Sequence, residues 1–211
     1  MATKKAISAG TGRRKTATAR VNLIEGKGKW TVNEGVVLEA FDGLRADICA
    51  LALGCYIAEC LDALSVEDQP DAPLMQLGLN SLYALSRGMY SHAQIKAAFE
   101  LRLMCLAGYA PELGGCAVCG AKEPEEPVLS LETGCLCCRR CRTAQSGRTA
   151  ALCPESLAAM RYIISAPAKQ LFSFTLGGAA LARLGSGAED YLLCQTERRF
   201  STLDYYKSMR I

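Results

Sequence analysis

The sequence has one histidine in 211 residues. Ser/His and Cys/His catalytic pairs need an imidazole beside the nucleophile. The single candidate, His92, reads as a surface residue at a helix start, so no such pair is expected. Long apolar runs are missing as well. The longest uncharged apolar run, Ile48 to Ala58, sits between Asp47 and Glu59 and falls far short of the roughly 20 residues that span a bilayer. No apolar segment follows the basic start Met1-Ala2-Thr3-Lys4-Lys5, so no secretory signal is read and a cytoplasmic location is expected. Gly10 to Thr16 imitates a phosphate loop, but that motif needs glycine where Arg14 stands. Nothing in the chain suggests a catalytic site, and a non-enzymatic protein is expected.

Half of the residues are hydrophobic and 21% are charged, a balance that supports a packed core and argues against wholesale disorder. Net charge is unevenly spread. Residues 1–30 carry Lys4, Lys5, Arg13, Arg14, Lys15, Arg20, Lys27 and Lys29 against Glu25 alone, a balance of +7, and the remainder stands at −4. A basic arm on a mildly acidic body points to nucleic acid, with a merely solvated tail as the alternative.

Residues 18–24 and 30–38 are β-branched or apolar, and the glycines of residues 25–29 between them predict a β-hairpin. Leu44 to Leu64 reads as a helix apolar almost all round, hence a central one, with Cys49, Cys55 and Cys60 as core thiols. Asp68, Pro70, Asp71 and Pro73 mark a loop. Two helices follow, Leu74 to Met89 and His92 to Ala107, the second with Ile95, Ala98, Phe99, Leu101, Leu103 and Leu106 on its buried side. Beyond a cysteine-rich insertion, helical patterning resumes at Pro154 to Ser165 and again over Ala179 to Phe200, with an interruption near Gly185 to Gly187.

The twelve cysteines carry the strongest signal. In a chain that is not exported they stay reduced, and paired spacings point to metal. Cys116-Ala117-Val118-Cys119 and Cys138-Arg139-Arg140-Cys141 are two CxxC knuckles separated by 18 residues, a zinc pattern. Each knuckle sets two thiolates on one side of a tight turn, and two facing turns close a tetrahedron without an open position. Gly115 and Gly120 flank the first knuckle. Cys135 and Cys138 form a competing CxxC; the Arg139-Arg140 interior favours Cys138 with Cys141, because cations near thiolates lower their pKa. Arg139, Arg140, Arg142 and Arg148 around the knuckle read equally as a patch for a phosphate backbone or acidic peptide and as a solvated face.

Thr31-Val32-Asn33-Glu34, Glu39-Ala40-Phe41-Asp42-Gly43-Leu44-Arg45, Phe99-Glu100-Leu101-Arg102-Leu103 and Gly108-Tyr109-Ala110-Pro111-Glu112-Leu113 carry a likeness to a known family. Through them, from about Trp30 onward, the chain resembles the RecO family of recombination mediators. Glu197-Arg198-Arg199-Phe200 and Ser201-Thr202-Leu203-Asp204 extend the likeness. Against the family's zinc segment, Cys138 and Cys141 take ligand positions, Cys135 replaces a glycine and Cys137 an aliphatic residue. Residues 1–29, through Gly10-Thr11-Gly12-Arg13-Arg14-Lys15, Ala19-Arg20-Val21 and Gly26-Lys27-Gly28-Lys29, are similar instead to the start of the ninth small-subunit ribosomal protein, as in a fusion.

The resemblance implies a mainly α protein: a helical bundle with an inserted four-cysteine zinc segment (residues 114–142), preceded by an N-terminal β-hairpin that is a remnant of, or replacement for, an OB barrel. Residues 1–40 would form the basic arm and hairpin, and 41–211 the helical domain. It also implies DNA repair and recombination: annealing of single-stranded DNA and assistance to RecA with RecR and the C-terminal tail of single-strand-binding protein. About forty residues are too few for a five-stranded barrel, and Trp30 is their only aromatic, so DNA binding is expected to be weakened. Arg13, Arg14, Lys15, Arg20, Lys27, Lys29, Arg139 and Arg140 are the nucleic-acid candidates. The alternatives are an RNA-binding protein whose arm meets rRNA, or a chimeric reading frame.

Overall fold

The computed structural model describes residues 6–14, 17–24, 31–32, 36–37, 41–65, 71–144 and 147–209, the strands of the first forty residues by backbone alone. The chain forms two compact units, Met1–Ala40 and Phe41–Ile211. In the first, β1 (Ala6–Arg14) runs antiparallel to β2 (Ala17–Ile24), with Arg14 opposite Ala17 and Gly10 opposite Val21. β3 (Thr31–Val32) pairs with β4 (Val36–Val37). Among the described residues, the expected pairing of residues 18–24 with 30–38 does not form. Closing the chain between Arg14 and Ala17 is the shorter loop, and shorter loops lose less entropy. The expected turn at residues 25–29 lies outside the described residues.

The second unit is mainly helical. After α1 (Gly43–Ala46) the chain breaks at Asp47, whose Oδ1 accepts hydrogen bonds from the backbone N–H groups of Cys49 and Ala50 (2.8 and 3.2 Å) and starts α2 (Ile48–Leu64). One continuous helix from Leu44 is therefore divided by its own N-cap. Asp71 caps α3 (Ala72–Ser86), which places Pro73 in a first turn rather than in a loop. Ser91 caps α4 (His92–Leu106). α5 (Pro154–Ser165), α6 (Gly178–Thr196) and α7 (Ser201–Ser208) complete the bundle. α6 runs without interruption through Gly185 and Gly187; at Gly187 a Cβ would lie 3.3 Å from the Leu152 side chain, so the small residue admits a close neighbour instead of breaking the helix.

The central helix is α4, which packs against α2, α3, α5 and α6. Ile95, Phe99, Leu101, Leu103 and Met104 are fully buried, whereas Leu106 is 37% exposed. α2 is one-sided: Ile48, Leu51 and Cys55 are exposed, Cys49 is half-buried, and only Cys60 of the three thiols lies in the core. The burial of α4 extends to charge. Lys96 Nζ lies 2.7 Å from Glu100 Oε1 on its own helix and 2.7 Å from Glu189 Oε2 on α6. Tyr56 on α2 donates to Glu100 Oε1 (2.7 Å), and Lys207 on α7 pairs with Glu189. Four helices thus meet in one buried polar network, which fixes how they pack.

Between α4 and α5 lies a three-stranded antiparallel sheet in the order β6-β5-β7. β5 (Pro127–Ser130) is central, with Val128 opposite Cys137 of β6 (Leu136–Cys138) and Ala151 of β7 (Thr149–Ala151). All four β5 residues are buried, and β7 packs on α6.

Candidate metal centre

The two CxxC turns are built on the edge of this sheet. Leaving α4, the segment Gly108 to Leu113 is fastened at each step. Tyr191 donates to Tyr109 O (3.0 Å), Glu112 N–H donates to Gly134 O (2.9 Å), and Arg161 Nε donates to Leu113 O (2.8 Å). The first knuckle then folds back. Cys116 N–H donates to Ala121 O and Gly120 N–H to Cys116 O, each at 2.8 Å. Gly120 closes the turn at φ +74, a conformation that a side chain disfavours. Ala117 N–H donates to Leu136 O (2.8 Å), which docks this knuckle on β6. The second begins where β6 ends at Cys138 and continues into a 3-10 turn over Arg139–Ala144 that carries Cys141.

The sulfurs of Cys116, Cys119, Cys138 and Cys141 all lie within 4.8 Å of one another. Four sulfurs bound tetrahedrally at ~2.3 Å stand about 3.8 Å apart, and Cys119 and Cys138 meet that spacing at 3.8 Å. Cys116 is buried, Cys119 is exposed, and the other two are half-buried. Burial works against ionising Cys116, but the backbone N–H groups of Cys119, Cys138 and Val118 turn toward its sulfur and bring its pKa down to about 6. Cys138 is also lowered, through hydrogen bonds from Cys141, while Cys141 is pushed up to about 12 by the neighbouring Cys138. Thiolates packed this tightly repel one another, and a divalent cation removes that conflict. The group is able to hold a metal ion.

Two further cysteines lie beside the group. Cys135 bridges to Glu112 and directs its sulfur to Thr133 O (3.7 Å), outside the four. Cys137 is 2% exposed within β6. The arginines near the knuckle differ in their surroundings. Arg139 is held by both oxygens of Glu126 (2.7 and 3.0 Å), Arg140 and Arg142 are exposed, and Arg148 lies 3.1 Å from Cys194 Sγ on α6. Arg13, Arg14 and Arg20 fall in β1 and β2, and Lys15, Lys27 and Lys29 lie outside the described residues. His92 is half-buried at the first turn of α4, 3.5 Å from Asp47 Oδ2. No helix among the described residues is long and apolar enough to cross a membrane.

Residues 45–204 match the family described as recombination protein O, C terminal. The chain belongs to the RecO family. It is 33% identical to the DNA repair protein RecO of Acetivibrio thermocellus over 189 residues, which cover 89% of this chain and 74% of that one. The RecO of Symbiobacterium thermophilum is 27% identical over 90% of this chain and 76% of its own, and that of Heliobacterium modesticaldum 31% identical over 83% and 64%. The first two matches cover more of the chain than residues 30–211 amount to, so they carry the RecO likeness into residues 1–29. The ribosomal likeness of that stretch gains no support from them.

The structure gives physical roles to the stretches that resemble RecO. In Phe99-Glu100-Leu101-Arg102-Leu103, Glu100 anchors the buried network and Arg102 donates to the carbonyls of Ile163 and Ala166 at the end of α5. At Gly43 any Cβ would stand 1.9 Å from the Ser86 carbonyl oxygen, so only glycine lets α1 meet the end of α3. Phe200 packs edge-on against Tyr56, with ring centres 5.8 Å apart.

Proposed function

We propose that this RecO-family chain acts in DNA repair and recombination as a non-enzymatic mediator. It anneals single-stranded DNA and, together with RecR and single-strand-binding protein, assists RecA onto DNA. The observation that carries the reading is the family match over residues 45–204, which spans both the α4-centred bundle and the four-cysteine group. A cytoplasmic location accords with that work.

The metal in this reading is zinc with a structural role, held by Cys116, Cys119, Cys138 and Cys141. An all-sulfur donor set at tetrahedral spacing suits zinc and leaves no position for a substrate. Its effect is to tie a small sheet and two loops, which have little core of their own, to the end of α4. DNA contact falls to exposed cations, Arg140 among them, and to Arg13, Arg14, Lys15, Arg20, Lys27 and Lys29 of the first unit. Arg139, engaged by Glu126, contributes less. Contacts of this kind are salt-sensitive and indifferent to sequence.

The test is annealing of complementary strands coated with single-strand-binding protein. The purified chain should accelerate duplex formation over the spontaneous rate. No acceleration would remove the mediator role and leave only a RecO-like scaffold.

A further inference from the structure

At the end of α6, with none of the four clustered cysteines in its lining, lies a solvent-open cavity of ≈ 730 Å³ into which Arg148, Arg198 and Arg199 are gathered with Glu132 and Glu197. We propose that this cavity is a second seat for a single-stranded nucleic-acid backbone, in which Arg198 and Arg199 each take a phosphate. The inference rests on the DNA-binding reading above and adds a site to it.

Three observations carry it. First, Arg198 and Arg199 are exposed, and among the described residues neither has an ion pair or hydrogen bond. Two adjacent guanidiniums left free present their N–H donors in forks that match phosphate oxygens. Second, their pedestal is strained at one end and anchored at the other. α6 ends at Glu197 with φ 52, the only non-glycine residue in the left-handed region among those described, and Phe200 two residues past Arg198 is buried against Tyr56. Such strain persists where surroundings over-determine it, and it gathers at binding sites. Gln195 fixes the opposite wall through Leu131 O and Glu132 O (2.7 and 3.0 Å). Third, the carboxylates are poorly placed to neutralise the arginines: Glu132 turns to the backbone N–H of Arg148 (3.4 Å), and Glu197 makes no ion pair among the described residues.

The lining also chooses the class of ligand. It contains no aromatic residue, and Leu193 is its only large apolar side chain. An acidic peptide with a bulky apolar anchor finds no pocket there, and bases find no stacking platform. What fits is a backbone read by charge.

The experiment measures binding of a fluorescein-labelled oligothymidylate to the full chain across a salt titration, for the wild type, R198A/R199A and R198K/R199K. Each phosphate contact on a single strand contributes about 0.7 to the slope of log affinity against log salt. The double alanine variant should lose about 1.4 of that slope, and the lysine variant should keep most of it. Urea unfolding of the same variants runs alongside. A wild-type slope retained in R198A/R199A, with only the unfolding midpoint lowered, would mean that the arginines serve the carbonyl end of α6 and would overturn the inference. So would an unlabelled acidic peptide that competes for the cavity in the wild type while DNA affinity ignores both arginines. Absence of salt-sensitive binding by the wild type itself would overturn the DNA reading along with it.

Discussion

Replacing Lys96 with methionine tests the buried network most sharply. The ammonium is 7% exposed and stands 2.7 Å from carboxylates on α4 and α6, the first of which is wholly buried. At an effective dielectric of ~20, each contact at that distance is worth about 6 kcal/mol of attraction before desolvation is subtracted. Methionine fills the volume but leaves Glu100 charged, buried and without its cation; breaking a buried pair in this way costs about 3–5 kcal/mol. Glu189 keeps Lys207, so the loss centres on Glu100. The double variant Lys96→Met/Glu100→Gln removes the stranded charge, keeps an acceptor for Tyr56 and should recover more than half of the loss. The sign with pH follows from Glu100. Burial raises its pKa against the attraction of Lys96, and removing the lysine raises it further. A carboxyl group whose folded pKa is raised contributes stability that is present below the unfolded value of about 4.3 and is lost as pH rises through the folded pKa. Urea unfolding should therefore show a Lys96→Met penalty that is small in acid and grows toward neutral pH. A penalty under about 1 kcal/mol at neutral pH, unchanged in acid, would refute the reasoning.

The other predictions concern backbone and metal. Gly43→Ala drives a methyl into the Ser86 carbonyl, 1.9 Å away, and should destabilise by at least ~2 kcal/mol in thermal unfolding; Asp42→Ala beside it, whose side chain makes no cap hydrogen bond, should cost much less. Glu197→Gly relieves a left-handed side-chain residue and should raise stability by about 1 kcal/mol, read as a higher urea midpoint. Cys119→Ser should weaken zinc retention against a chelator, whereas Cys135→Ser, whose sulfur points to Thr133 O, should leave it unchanged.

Much of the helical scaffold could be read from residue order because its signals are local. Pro154 and Ser165 bound α5 where the pattern places them, and Ser91 with His92 starts α4. The convergence of four cysteines follows from CxxC spacing, which constrains geometry over a few residues. What escaped the sequence depends on distant partners. Lys96 and Glu100 make α4 look half-polar, so the smoother apolar run of α2 claimed the centre; only Glu189, 93 residues away, and Tyr56 make burial of those charges tolerable. β5 is a short run buried on both faces and shows no alternation. α7 buries only Leu203 and Tyr206 in an otherwise polar segment. The arginine cavity joins Arg148 to Arg198 and Arg199 through the end of α6, a proximity that no local pattern encodes.

The most direct test of the account is the metal content of the purified chain by native mass spectrometry. One zinc per chain, lost in Cys116→Ser together with part of the helical circular dichroism, is the predicted result. A metal-free chain with undiminished helical content would contradict it.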